Sequence, residues 1–400
     1  MFSILMLTYK TITIKTKTRT HSSIFQSLPM KLQRPTLIIF LCFSCFQMTM
    51  SKNQYYYTSI FSFGDSLADT GNMLLSGALP FPSISNLPYG MTFFHHPTGR
   101  CSDGRLIVDF IAAAMGLPFL PPYLENGRSF KQGANFAFSG ATALEPEFFR
   151  NKGLGPILWT NISLSAQLKW FEELKPSLCG SIKECSEYFS KSLFLVGEIG
   201  GNDYNYAFFL GKSMTEVKSY VPKVVKAIII SAERLINQGA VHLVVPGNLP
   251  IGCSAAYLTL YYTPNKAAYD NRNGCLKAFN SFAKYHNSLL QQSLETLRHK
   301  YPQARIMYAD YYGAAIPFVH SPKHFGFSKG ALLTCCGGGG LYNFNISARC
   351  GHPGSSACDD PSSYVNWDGI HLTEAAYAHI SAALLNGTHS EPSILGFNFN

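Results

Sequence analysis

An α/β fold with a parallel central sheet is predicted by three features of this 400-residue chain. Short apolar runs end in Gly, Asn, Asp or Pro; long helical stretches lie between them; and no repeat, low-complexity block or linker interrupts the chain after residue 55. Continuous apolar runs of four to eight residues suit strands buried on both faces of a sheet. Strand followed by helix, repeated, implies right-handed crossovers and helices covering the sheet.

The runs are Ser59–Phe63, Ala134–Phe138, Leu193–Ile199, Val241–Val245 and Arg305–Ala309. The helical stretches are Val217–Gln238, closed by Gly239; Lys266–Lys300, ended by Tyr301-Pro302; and Thr373–Leu385, with Thr373 as N-cap. A single domain is expected over 55–390.

The composition is that of a folded chain: 46% hydrophobic and 14% charged, which excludes disorder as the dominant state. The net charge of +9 is misleading. Residues 1–50 hold six of the 32 Lys and Arg and none of the 23 acids, leaving 26 bases against 23 acids elsewhere. That balance is no nucleic-acid footprint, and no nucleic-acid partner is expected.

Thr36–Phe46 is an apolar stretch of eleven residues preceded by Lys31 and Arg34. It is short of the ~20 residues a spanning helix needs and fits the apolar region of a secretory signal peptide. Residues 1–50 are read as an N-terminal extension and signal, with Met30 as an alternative start. A transit peptide and a buried N-terminal strand are the competing readings. Secretion would place the chain outside the cell, in the wall or in the vacuole, with no stable membrane span.

Nine of the eleven cysteines follow residue 100, and among those nine no C-x-x-C pair suggests zinc. Disulfides in an oxidising compartment fit better. Cys179–Cys185 and Cys253–Cys275 are expected loops. Cys335, Cys336, Cys350 and Cys358 staple a Gly-rich loop in an order the spacing leaves open, and Cys101 remains as a buried thiol. Asn161, Asn345 and Asn386 head N-glycosylation sequons.

Chemistry in such folds gathers at the carboxyl ends of the strands. After the first run comes Gly64-Asp65-Ser66-Leu67, where Ser66 is read at a helix N-terminus, as a nucleophile or as a simple cap. After the second comes Ser139-Gly140-Ala141, and after the third Gly200-Gly201-Asn202-Asp203; either could be turn chemistry alone. Asp368 and His371 stand three apart before the last helix. Together they supply what acyl transfer needs. Ser66 is the nucleophile, His371 the base, and Asp368 the group that fixes the imidazole tautomer. The Ser66 and Gly140 N–H groups and the Asn202 amide form an oxyanion hole. His95 and His96 are the alternative bases. Tyr204, Tyr206, Phe208 and Phe209 line either a pocket for an aromatic alcohol or the core.

These blocks, in this order, resemble the GDSL esterase/lipase family, also called SGNH hydrolases. The surrounding strings Pro97–Arg105, Asn135–Ala143, Gly197–Asp203 and Trp367–Tyr377 look like its plant branch, and the resemblance runs from about Phe61 to Leu385. It implies a flavodoxin-like three-layer α/β/α sandwich, a catalytic serine, no metal or other cofactor, a signal peptide and glycosylation. It points to a small-molecule ester substrate, acetyl or hydroxycinnamoyl esters of plant specialised metabolites, and to a monomer. A transferase that passes the acyl group to an alcohol is the second reading. A non-catalytic cell-surface binding protein is the third; it would need none of Ser66, Asn202, Asp368 and His371.

Overall fold

The computed structural model describes residues 57–77 and 84–396. The apolar stretch at 36–46, Cys42, Cys45 and the alternative start at Met30 lie outside the described residues. The central sheet is built from β1 (Ser59–Phe63), β2 (Gly133–Asn135), β3 (Ser192–Val196), β4 (His242–Pro246) and β5 (Arg305–Ala309). A two-residue pair, β6 (Cys336–Gly337) with β7 (Ser356–Ala357), stands apart, and β8 (Ser390–Glu391) closes the main sheet. The order is β2-β1-β3-β4-β5-β8, with β8 alone antiparallel.

Both faces of the sheet are dry. Side chains alternate along a strand, so Phe61 and Phe63, Phe194 and Val196, Leu243 and Val245 join one apolar cluster. Their neighbours Ile60, Leu193, Leu195, Val244 and Met307 join the other. The first cluster is covered by α2 (Leu164–Leu174), α3 (Ile182–Phe189), α5 (Val221–Asn237) and α6 (Lys277–Lys300). The second is covered by α1 (Ile107–Ala114), α7 (Tyr311–His320) and α8 (Glu374–Leu385). Helix α4 (Gly201–Phe209) leaves the carboxyl edge after β3. The layers are therefore helix, sheet, helix, as expected. Phe61 is fully buried against the rings of Phe171 and Phe189, 5.5 and 5.7 Å away.

Four expectations shift. The second strand lies at 133–135 rather than 134–138, and the third stops at Val196 rather than Ile199. A Cβ on Gly197 would sit 1.7 Å from the Phe63 carbonyl oxygen, so the backbones converge there and the ladder ends. The stretch at 217–238 divides into a turn at Met214–Lys218 and α5, whose first turn holds Pro222. The stretch at 266–300 begins as a short 3-10 turn, and α6 starts only at Lys277. Asp270–Gly274 intervenes as a polar turn, with Gly274 at φ +75°.

Among the described residues four disulfides tie the loops: Cys179–Cys185, Cys253–Cys275, Cys335–Cys358 and Cys336–Cys350. The last two are nested, Cys336–Cys350 inside Cys335–Cys358, and clamp the Gly-rich loop that the spacing left unassigned. Cys101 is buried and unpaired among the described residues. No helix among the described residues is long and apolar enough to cross a membrane. Titration of the denatured, unreduced protein should find one reactive thiol among the nine cysteines from residue 101 onward. Breaking the Cys253–Cys275 bridge as a double serine variant should cost about 2–5 kcal/mol of stability; an unchanged melting temperature would show that it constrains nothing.

Candidate active site

The strand ends at the carboxyl edge carry the site. Ser66 follows β1 in a single turn closed by the Ala68 and Asp69 N–H groups on the Asp65 carbonyl. It is not at a helix N-terminus, contrary to the sequence expectation. Asp69 is the reason. Its carboxylate accepts the N–H groups of Gly71, Asn72 and Met73, at 2.7 to 3.1 Å, so the next helical turn begins at Asn72 instead. Asp69 also accepts the Ser139 N–H at 2.8 Å, which ties the Gly140 loop to the Ser66 turn.

His371 and Asp368 arrive from the loop before α8. The Pro97–Arg105 string fastens that loop. Asp103 accepts the Glu374 N–H at 2.7 Å, Ser102 donates to the Leu372 carbonyl, and Arg105 pairs with Glu374 at 2.7 Å. Thr373 caps α8 through the Ala376 N–H, as its sequence position predicts.

The three side chains meet. His371 Nε2 lies 2.7 Å from Ser66 Oγ, and His371 Nδ1 lies 2.7 Å from Asp368 Oδ2. The backbone N–H groups of Ile370 and His371 donate to Asp368 Oδ1. Burial pushes the Asp368 carboxyl up, but the charge and hydrogen bonds of His371 outweigh it and hold the group below the ordinary carboxylate value. Asp368 is therefore an acceptor only. Nδ1 must carry the imidazole proton, and Nε2 is left to accept from the Ser66 hydroxyl. His95 and His96, the alternative bases, are exposed; His95 Nδ1 contacts the Met91 carbonyl.

The three groups expected to form an oxyanion hole are in part engaged. Gly140 has φ +84°, a conformation that favours glycine, and a Cβ there would crowd Tyr206 and Trp159. Neither its N–H nor that of Ser66 meets an acceptor among the described residues. Asn202 does: its Nδ2 donates to Asp65 Oδ2 at 3.0 Å and to the Ala141 carbonyl at 3.1 Å. Ser66, Asn202 and His371 line a cavity enclosing about 90 Å³, walled by Leu249, Tyr257, Val319 and Val365. Tyr204 and Phe208 are core residues, whereas Tyr206 and Phe209 face a neighbouring cavity with Trp159 and Phe344. Asn161, Asn345 and Asn386 are exposed.

The profile described as GDSL-like Lipase/Acylhydrolase matches residues 60–384. The chain belongs to that family. A GDSL esterase/lipase of Arabidopsis thaliana is 55% identical over 343 residues, covering 84% of this chain and 92% of the relative. A second from the same plant is 51% identical over 369 residues, covering 92% and 91%. Sinapine esterase of Brassica napus is 49% identical over 340 residues, covering 84% and 87%. This GDSL-family chain is accordingly a carboxylic ester hydrolase.

One site residue escapes sequence reasoning altogether. Tyr89 is fully buried, and its hydroxyl donates to Asp368 Oδ2 at 2.9 Å, the same oxygen that faces His371. Burial and the Asp368 charge push the phenol far above its usual value, so it keeps its proton. It sits 279 residues from Asp368, in Asn86-Leu-Pro-Tyr-Gly90, a stretch with no periodic signal. The expected effect of Tyr89→Phe is a fall of about ten-fold in kcat, near 1.4 kcal/mol of barrier, with KM little changed. A kcat equal to wild type would reduce Tyr89 to packing against Trp367.

Proposed function

We propose that this GDSL-family hydrolase cleaves esters through a Ser66 acyl-enzyme. The observation that carries this reading is the pair of 2.7 Å contacts that string Ser66, His371 and Asp368 together. In the first half-reaction Ser66 Oγ attacks the ester carbonyl carbon while His371 Nε2 takes the hydroxyl proton. The tetrahedral intermediate collapses to the acyl-serine, and the same proton leaves on the alkoxide. Water then repeats the sequence on the acyl-serine and regenerates Ser66. The N–H groups of Ser66 and Gly140 and the Asn202 amide receive the developing oxyanion; removal of one such donor costs about 10²–10³ in rate. Asn202 must tilt one N–H from Asp65 or Ala141 toward that oxygen.

The substrate proposed is a small-molecule ester of plant specialised metabolism, with an acetyl or hydroxycinnamoyl acyl group. The aromatic-lined cavity beside Gly140 and the relative named sinapine esterase support it. Secretion and glycosylation belong to the same reading, supported by the apolar stretch at 36–46, four disulfides and three exposed sequons. Residues 55–390 are proposed as one catalytic domain.

Ser66→Ala should abolish hydrolysis of p-nitrophenyl acetate with an unchanged far-UV circular dichroism spectrum. Turnover above a few per cent of wild type removes Ser66 as nucleophile. Because His371 must be neutral to accept a proton, kcat/KM should fall as pH is lowered, through a single ionisation. Asp368→Asn should cut kcat by about 10⁴ with KM nearly unchanged; a near-normal rate would leave Asp368 as a loop-closing residue only. Product analysis with an added alcohol separates hydrolysis, which releases free acid, from acyl transfer, which yields a new ester.

A further inference from the structure

Asn202 is held by Asp65, and Asp65 is itself held from behind. Its Oδ1 accepts the Leu67 N–H at 3.0 Å, its Oδ2 accepts from Asn202, and its backbone N–H donates to the Glu198 carbonyl. The Glu198 and Asp65 carboxyls also interact with each other, and both line the cavity that holds Ser66 and Asn202. Glu198 is 5% exposed and Asp65 3%. Glu198 is packed so closely under the turn into α4 that a Cβ on Gly201 would lie 3.2 Å from its Oε1. Two carboxyl groups can share a hydrogen bond only if one of them carries a proton. A like-charged buried pair is also the arrangement that retains a proton most strongly.

We propose that Glu198 is a positioning residue, a protonated acid that donates to Asp65 and so keeps Asp65 a single, oriented acceptor for the Asn202 amide beside Ser66. Asp65 must accept from Asn202 and Leu67, so it is the carboxylate of the pair, and Glu198 is the acid. The pair then carries one negative charge. Loss of the shared proton would place a second charge behind the donor that has to meet an oxyanion. It would also remove the hydrogen bond that fixes Asp65. Activity should therefore have an alkaline limb belonging to this pair.

Burial raises both carboxyls, and mutual repulsion raises Glu198 further. The other charged groups that act on the pair are Asp69 after β1, Asp203 on α4 and His371 before α8. The two aspartates favour retention of the proton; an imidazolium at His371 would oppose it. The buried hydroxyls of Tyr204, Tyr206, Tyr311 and Tyr377 and the thiol of Cys101 also feel the charge of the pair, and burial keeps all five neutral.

The inference rests on the Ser66 acyl-enzyme reading. The test compares wild type, Glu198→Gln, Glu198→Ala and Ser66→Ala for phenol release from phenyl acetate between pH 5 and 10. Glu198→Ala should lower kcat by about 10–100-fold with KM little changed, short of the full loss of an oxyanion donor. Glu198→Gln, whose amide donates as the acid does but has no proton to lose, should recover at least ten-fold over Glu198→Ala. It should also lack the alkaline fall seen in wild type. The proposal is overturned if Glu198→Gln is as slow as Glu198→Ala, if Glu198→Ala matches wild type, or if Glu198→Gln shares the alkaline limb of wild type. A wild-type kcat that stays flat to pH 10 overturns it as well. Activity in Ser66→Ala would instead remove the acyl-enzyme reading itself, whatever the Glu198 variants do.

Discussion

The loops at the carboxyl edge of the sheet are buried, and buried backbone must find hydrogen-bond partners without help from a ladder. Side chains supply them. Gln167 from α2 grips Gly64 at both its N–H and its carbonyl, at 2.8 and 2.7 Å. Asp69 takes four backbone N–H groups, and Asn72 and Asn135 stitch the first loop to the second. Asp203 accepts the N–H groups of Ala143 and Leu144 and ties the second loop to α4. Ser66 and Gly140 stand on two separate loops and Asn202 in the first turn of α4, and these bonds give them a common frame. Removing one such acceptor leaves buried donors unsatisfied, at about 1–3 kcal/mol each, and shifts the site as well.

The same frame explains the charge arrangement. Buried carboxylates are costly unless hydrogen-bonded. Asp69 and Asp368 each collect several donors. Asp203 collects two, and burial still pushes its carboxyl up to about 7. Asp368 differs because its principal partner is the imidazole of His371, the proposed base. The groups nearest Ser66 are thus each held by further hydrogen-bond partners, and the apolar walls of the cavity keep their electrostatics strong.

Much of the fold was legible because a sheet buried on both faces requires apolar strands, and those runs stand out between polar turns. Boundaries were less legible. Gly197 ends β3 through a close approach to β1, a contact between residues 134 positions apart. The late start of α6 at Lys277 reflects a polar turn inside an otherwise helical composition. Ser66, Asn202, Asp368 and His371 were readable as candidates because each sits in a short polar block after an apolar run or before a helix. What the blocks could not reveal is who supports them. Tyr89 lies in an unpatterned loop, and Gln167 looks like any polar position of an amphipathic helix. Asp69 reads as a turn residue although it decides where the next helical turn begins. Those roles depend on contacts far apart along the chain, which periodicity does not encode.

The central claim is that Ser66 is an activated nucleophile only because His371 and Asp368 are aligned on it. Mass spectrometry after reaction with an organophosphorus serine reagent tests it most directly. The native protein should take up a single adduct, mapped to Ser66, and the heat-denatured protein or a His371→Ala variant should take up none. Stoichiometric labelling of another serine, or Ser66 labelling that persists without His371, would contradict the account.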